Sequence, residues 1–192
     1  MTVCPFFFHH FRNRSQFSTI CLVLAAAVAL LVGVGPSNAA SDGEVRVTLD
    51  RLFRHIPGSH DLANRSAAIL VFPTVIKAGF GVGGEYGEGE LLIGGKVAGY
   101  YNTAAASIGF QLGAEAKSVI IMFMTPGALE NFRRADGWKI GVDGSVAIIA
   151  VGVGGSVDTE NITSPVIGFI QDPKGLMYNL TLEGSKITRI NR

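Results

Sequence analysis

The chain has 192 residues, 16 lysines and arginines against 15 acids, and 48% hydrophobic residues. That length admits one domain with or without a processed leader, and a near-neutral balance without basic clusters excludes nucleic acid as the main partner, because phosphate neutralisation demands a cationic stripe. Both cysteines, Cys4 and Cys21, lie near the N-terminus, which excludes an internal disulfide or a thiol nucleophile from everything downstream.

Residues 1–17 hold Arg12 and Arg14 and no acid, and 20–34 is apolar or glycine throughout. A charged n-region followed by an apolar h-region is a secretory leader. Gly35-Pro36 stops the run, and Ser37-Asn38-Ala39 puts small residues where cleavage after Ala39 needs them. Residues 1–39 are therefore expected to be a signal peptide and 40–192 an exported domain, periplasmic or extracellular. The alternative is a retained anchor, since the h-region approaches the roughly 18–20 residues of a spanning helix. Cys21 stands at the start of the apolar run behind Ser18-Thr19-Ile20, the wrong place for lipoprotein attachment. Without Arg12 and Arg14 the domain keeps 14 basic residues against 15 acidic, a net charge of −1.

Val45, Leu49, Leu52, Phe53 and Ile56 recur at helical spacing, and Pro57-Gly58 ends the pattern. The other face carries Arg46, Asp50, Arg51 and Arg54, so this first helix is amphipathic with a basic bias. A short second turn follows from Ser59. From Ala67 the texture changes to apolar and β-branched runs broken by glycine, the pattern of an antiparallel sheet that curls or closes. Strands are expected at Ala68–Phe72, Ile76–Tyr86, Glu90–Ile93, Val97–Tyr101, Ser107–Leu112 and Ser118–Met124. Turns are expected at Gly87-Glu88-Gly89 and Gly94-Gly95-Lys96. Thr125 as cap and Pro126 at the first helical position start a helix whose Arg133 and Arg134 suit its C-terminal dipole. Beyond Gly137, strands are expected at Trp138–Val142, Ser145–Val151, Val166–Ile170, Met177–Leu182 and Lys186–Ile190, with Val151–Ile162 as loop or strand ends. The fold class is mainly β within α+β: one strongly curved, barrel-like antiparallel sheet with the N-terminal amphipathic helix and one inserted helix against it. Gly79, Gly81 and Gly83 leave one strand face bare for bending or close approach, and Ala78, Phe80 and Val82 are expected to face the core.

Catalytic chemistry finds little to work with. Gly79-Phe80-Gly81-Val82-Gly83-Gly84 satisfies the dinucleotide string, but no helix follows and Glu85, Glu88 and Glu90 come next, the wrong charge for a pyrophosphate. His55 and His60 have no zinc spacing, and His60-Asp61 has no nucleophile elbow to serve, Ser145 lying in a strand pattern. The glutamates around Gly87 and Gly89 read as a solvated hairpin tip without calcium-loop spacing. No catalytic residue, metal site or cofactor is assigned.

Four blocks carry a resemblance: Ala68-Ile69-Leu70-Val71-Phe72, Ile76-Lys77-Ala78-Gly79-Phe80, Ser107 to Glu115, and Lys174-Gly175-Leu176 through Leu182-Glu183-Gly184-Ser185. In content and order they resemble the SYLF family from about Ile56 to Ile190. The resemblance implies a non-enzymatic lipid-binding module; eukaryotic members bind phosphoinositides, partly through an N-terminal amphipathic helix, and some bind actin. It points to Arg46, Arg51, Arg54 and Lys77 as cations for a membrane, with Leu49, Leu52 and Phe53 at the acyl boundary. The same apolar face suits the sheet equally well, and amphipathicity does not choose between them. The competing class is an envelope scaffold that meets a protein through Tyr86, Tyr100 and Tyr101.

Overall fold

The structure, a computed structural model, describes residues 42–150, 163–175, 182 and 184–191. The expected leader, residues 151–162 and most of the expected strand at 177–182 lie outside the described residues. Helix α1 (Asp42–His55) opens with Asp42 and Glu44 and closes with Arg54 and His55, so both ends complement the helix dipole. Helix α2 (Ser59–Arg65) follows. Two long strands then dominate, β1 (Ala68–Ile93) and β2 (Lys96–Phe123). They pair antiparallel along their whole length around Gly94-Gly95, whose φ values of 56° and 75° give the two-residue turn that matches strand twist. Helix α3 (Pro126–Arg134) starts on Thr125, whose hydroxyl accepts from the Ala128 amide at 3.2 Å. Strands β3 (Trp138–Lys139), β4 (Ala147–Ala150), β5 (Val166–Gly175) and β6 (Lys186–Ile190) complete the sheet.

Among the described residues the six strands run β3-β6-β2-β5-β4, with β1 on the other edge of β2. One edge of β2 thus serves two strands in series: β6 along 100–104 and β5 along 115–123. That requires the long hairpin to double back, and the sheet is curled into a half-barrel. The curved, mainly β architecture expected from the sequence is what forms.

Several local expectations are corrected. Gly87-Glu88-Gly89 is not a turn but lies inside β1. A Cβ on Gly89 would stand 2.3 Å from the Val71 carbonyl oxygen, and one on Gly87 2.8 Å from that of Thr74. The distal half of β1 therefore crosses against its own proximal half, and these glycines permit the approach that the sequence reading placed at Gly79–Gly83. Gly79 does sit at a sharp bend, its Cβ position 2.5 Å from the Gly83 Cα. Pro73 does not stop the strand, because the register shift between Phe72 and Val75 absorbs it as a bulge, and the Ser118 hydroxyl donates to the Pro73 carbonyl at 2.8 Å. The sheet is not wholly antiparallel, since β4 runs parallel to β5. The expected strand at Trp138–Val142 shrinks to two residues and a bridge from Ile140 to Gly144, as Gly141 turns the chain with φ 84°.

Two apolar clusters lie on opposite faces of the sheet. Inside the curl, Leu70, Phe72, Val75, Leu91, Ile121 and Phe123 meet Phe132 and Trp138. Outside it, Val45 and Leu52 from α1, Ile56 just beyond it and Leu62 from α2 cover Val71, Ile120, Met122, Ile167 and Phe169. Strand alternation produces this division directly: 119, 121 and 123 point inward, 120 and 122 toward the helices.

Candidate functional site

The bend of the long hairpin, Val75–Tyr86 paired with Ala104–Lys117, breaks the usual rule of strand polarity. Its inward positions carry charge. Lys77 stands opposite Glu115 and both are buried; Lys117, two residues on, shares their face. The Lys117 ammonium reaches the Glu85 carboxylate at 2.9 Å, and the other Glu85 oxygen accepts from the Ser185 hydroxyl at 3.5 Å. Glu115 is 2% exposed, and its carboxylate has no hydrogen-bond partner among the described residues. Gln171 donates to the Thr48 carbonyl at 2.9 Å, tying α1 to β5.

The described outward positions of the same segment are apolar. The register pairs are Ile76 with Ala116, Ala78 with Ala114, Phe80 with Leu112, Val82 with Ile108, Gly84 with Ala106, and Tyr86 with Ala104. Ile76 is 55% exposed, Val82 67% and Tyr86 47%; Ala78, Ala104, Ala106 and Ala114 are also open to solvent. The sequence expectation that Ala78 and Val82 face the core is thus reversed, because the inward face of the bend is taken by Lys77 and its cross-strand partner Glu115, and by Glu85 and Lys117. The side chains of Phe80, Ile108 and Leu112 lie outside the described residues. Polar neighbours bound the apolar strip: Thr74 at one end, and at the other Glu88, whose carboxylate accepts from the Tyr86 hydroxyl at 2.7 Å.

The residues singled out from sequence are distributed differently. Leu52 is fully buried under α1, and Leu49 and Phe53 lean on the same cluster, so the helix spends its apolar face on the sheet. Arg46 and Arg54 remain in solvent, whereas Arg51 pairs with Asp172 at the end of β5. Lys77 is not membrane-facing, being buried within the bend. Of the acids expected at a solvated tip, Glu85 and Glu90 are buried, and of the three tyrosines expected at a surface Tyr101 is not, packing 4.9 Å from Phe132. Burial raises the Tyr101 phenol above its ordinary 10.0, opposed by the nearby Arg189 and Arg133 guanidiniums. Sequence reasoning missed the Lys77, Glu85, Glu115 and Lys117 group. The signal was present: from 103 to 117 every even position is apolar, while Thr103, Ser107, Gln111, Glu115 and Lys117 fall on odd ones.

No helix among the described residues is long and apolar enough to cross a membrane. No curated protein matches the chain. Residues 104–191 match a family model described as Ysc84, the Las17-binding protein actin regulator. The match takes in two of the four motif blocks, Ser107 to Glu115 and Lys174 to Ser185, and the whole of β2 from the bend onward. The similarity to the Ysc84 (SYLF) family thus lies in residues 104–191, a little under half of the chain.

Proposed function

We propose that the domain is a non-enzymatic module that binds a lipid surface, and that the leader delivers it to the cell envelope. The observation that supports this is the inverted hairpin: charge on the inside of the bend, and Ile76, Ala78, Val82, Tyr86 and Ala114 exposed outside it. Apolar-out and polar-in alternation is the arrangement of strands that face lipid, and a contiguous exposed apolar surface marks an interaction site. The family supports the same class, its description naming a binding protein rather than a catalyst. With the apolar face of α1 covered, that helix contributes at most its exposed arginines, Arg46 and Arg54, and the bend supplies the acyl contact.

Co-sedimentation of residues 40–192 with zwitterionic and anionic vesicles tests this. Binding to both, persisting at moderate salt, is the expected outcome. Ile76→Asp with Val82→Asp should weaken it by at least tenfold, since each half-exposed side chain contributes about 1 kcal/mol on burial and a buried carboxylate adds a penalty. A folded domain that ignores vesicles but retains a protein from envelope extract through the same bend would replace the lipid reading with the scaffold one.

A further inference from the structure

A second site lies away from the bend, where β2 ends and α3 begins. There a groove of about 440 Å³ runs along one face of α3, from Pro126 and Leu129 to Arg133 and Arg134, with Ala67 and Arg189 across from it. Its two ends differ in chemistry. Pro126, Leu129 and Ala67 make one end apolar, and three guanidiniums make the other cationic. A single acid, Glu130, lines it, 3.7 Å from Arg134, which also donates to the Asn131 side chain at 3.2 Å. Among the described residues Arg133 and Arg189 make no ion pair, so the groove holds an excess of positive charge. Tyr101, whose phenol feels the Arg133 and Arg189 guanidiniums, packs on Phe132.

We propose that this groove binds an anionic amphiphile, a medium-chain carboxylate whose head meets Arg133 and Arg189 and whose chain lies on Leu129, Pro126 and Ala67. Three features favour it. The charge calls for an anion, and guanidinium forks match a carboxylate's two oxygens. The apolar end would be left wet by a small anion such as acetate and by a purely polar one. The nine residues of α3 span about 13 Å, room for a chain of that size. The site does not depend on the bend and stands or falls separately from it.

Calorimetric titration of the full chain with decanoate, below its micelle-forming concentration, is the test, with Leu129 methyl resonances as the second readout. Decanoate should saturate one site and shift Leu129; acetate and decanol should bind at least about tenfold more weakly, each lacking one half of the recognition. Arg133→Gln with Arg189→Gln should cost at least about tenfold while leaving the unliganded spectrum unchanged, since both side chains are exposed. Ile76→Asp with Val82→Asp should leave decanoate binding intact even as vesicle binding fails. Decanoate that does not bind, binds the glutamine variant equally, or is matched by decanol overturns the proposal.

Discussion

Gly89→Ala is the sharpest test of how the hairpin closes on itself. The added methyl would lie 2.3 Å from the Val71 carbonyl oxygen, 2.9 Å from its carbon and 2.6 Å from the Phe72 ring. Two of those three atoms are backbone, held in register with Ile120 across the strand, so no side-chain rotation relieves the contact. Overpacking typically costs 1–3 kcal/mol, and a backbone obstacle puts this case near the upper end, about 3 kcal/mol. For a domain of this size that lowers Tm by roughly 6–12 °C, or the urea midpoint by about 1.5 M at an m-value near 2 kcal/mol/M. Gly84→Ala is the matched control: its methyl would meet nothing nearer than the Ala105 carbonyl at 3.9 Å. Relieved of glycine's unfolded-state entropy, that variant should be neutral or more stable by up to about 1 kcal/mol. Urea unfolding of residues 40–192 compares the two. Equal stabilities for the two variants would refute the crossing of β1 on itself.

Removing one partner of the buried Lys117–Glu85 pair, by Lys117→Met, should destabilise by about 3–5 kcal/mol, because it strands a carboxylate that is 6% exposed. Adding Glu85→Met should recover much of that loss, and chemical denaturation of the single and double variants reads it out. Tyr101 gives a pH dependence. With its folded pKa raised above 10.0, the folded state keeps the phenol proton where the unfolded state loses it, so stability conferred below pH 10 falls as pH climbs through and above that value. Tyr101→Phe removes that slope, and the difference between the two proteins in urea midpoint should be constant below about pH 9 and shift in favour of the variant at higher pH; a difference independent of pH would show that burial does not hold the proton.

The elements were legible in the sequence where one principle acted alone. Helix α3 announced itself through Thr125 and Pro126, and the Gly94-Gly95 turn through the only local chemistry that fits it. The curled sheet followed from glycine spacing and β-branched runs. What sequence could not order was the third dimension of the hairpin. Gly87 and Gly89 look like turn residues when taken with their neighbours, and only the contact with Val71 and Thr74, some fifteen positions earlier, shows why glycine is there. The bend misled for a related reason. Apolar residues at Ala78 and Val82 suggested core because alternation says which residues share a face, not which face is inside; buried Lys77, Glu115 and Lys117 settle that. The amphipathic α1 likewise carried an ambiguity that its pattern could not resolve, and the sheet beneath it supplies the partner.

The lipid-facing bend is the central claim, and residues 40–192 contain no cysteine, so a single thiol can be placed at will. Val82→Cys and Arg54→Cys, each carrying an environment-sensitive fluorophore, compare the bend with the exposed face of α1 on vesicles bearing quenchers at known depth in the acyl layer. The account predicts a blue shift and strong quenching at position 82 and neither at position 54. Quenching at 54 with an unchanged, water-like spectrum at 82 would contradict it and return the membrane contact to the helix.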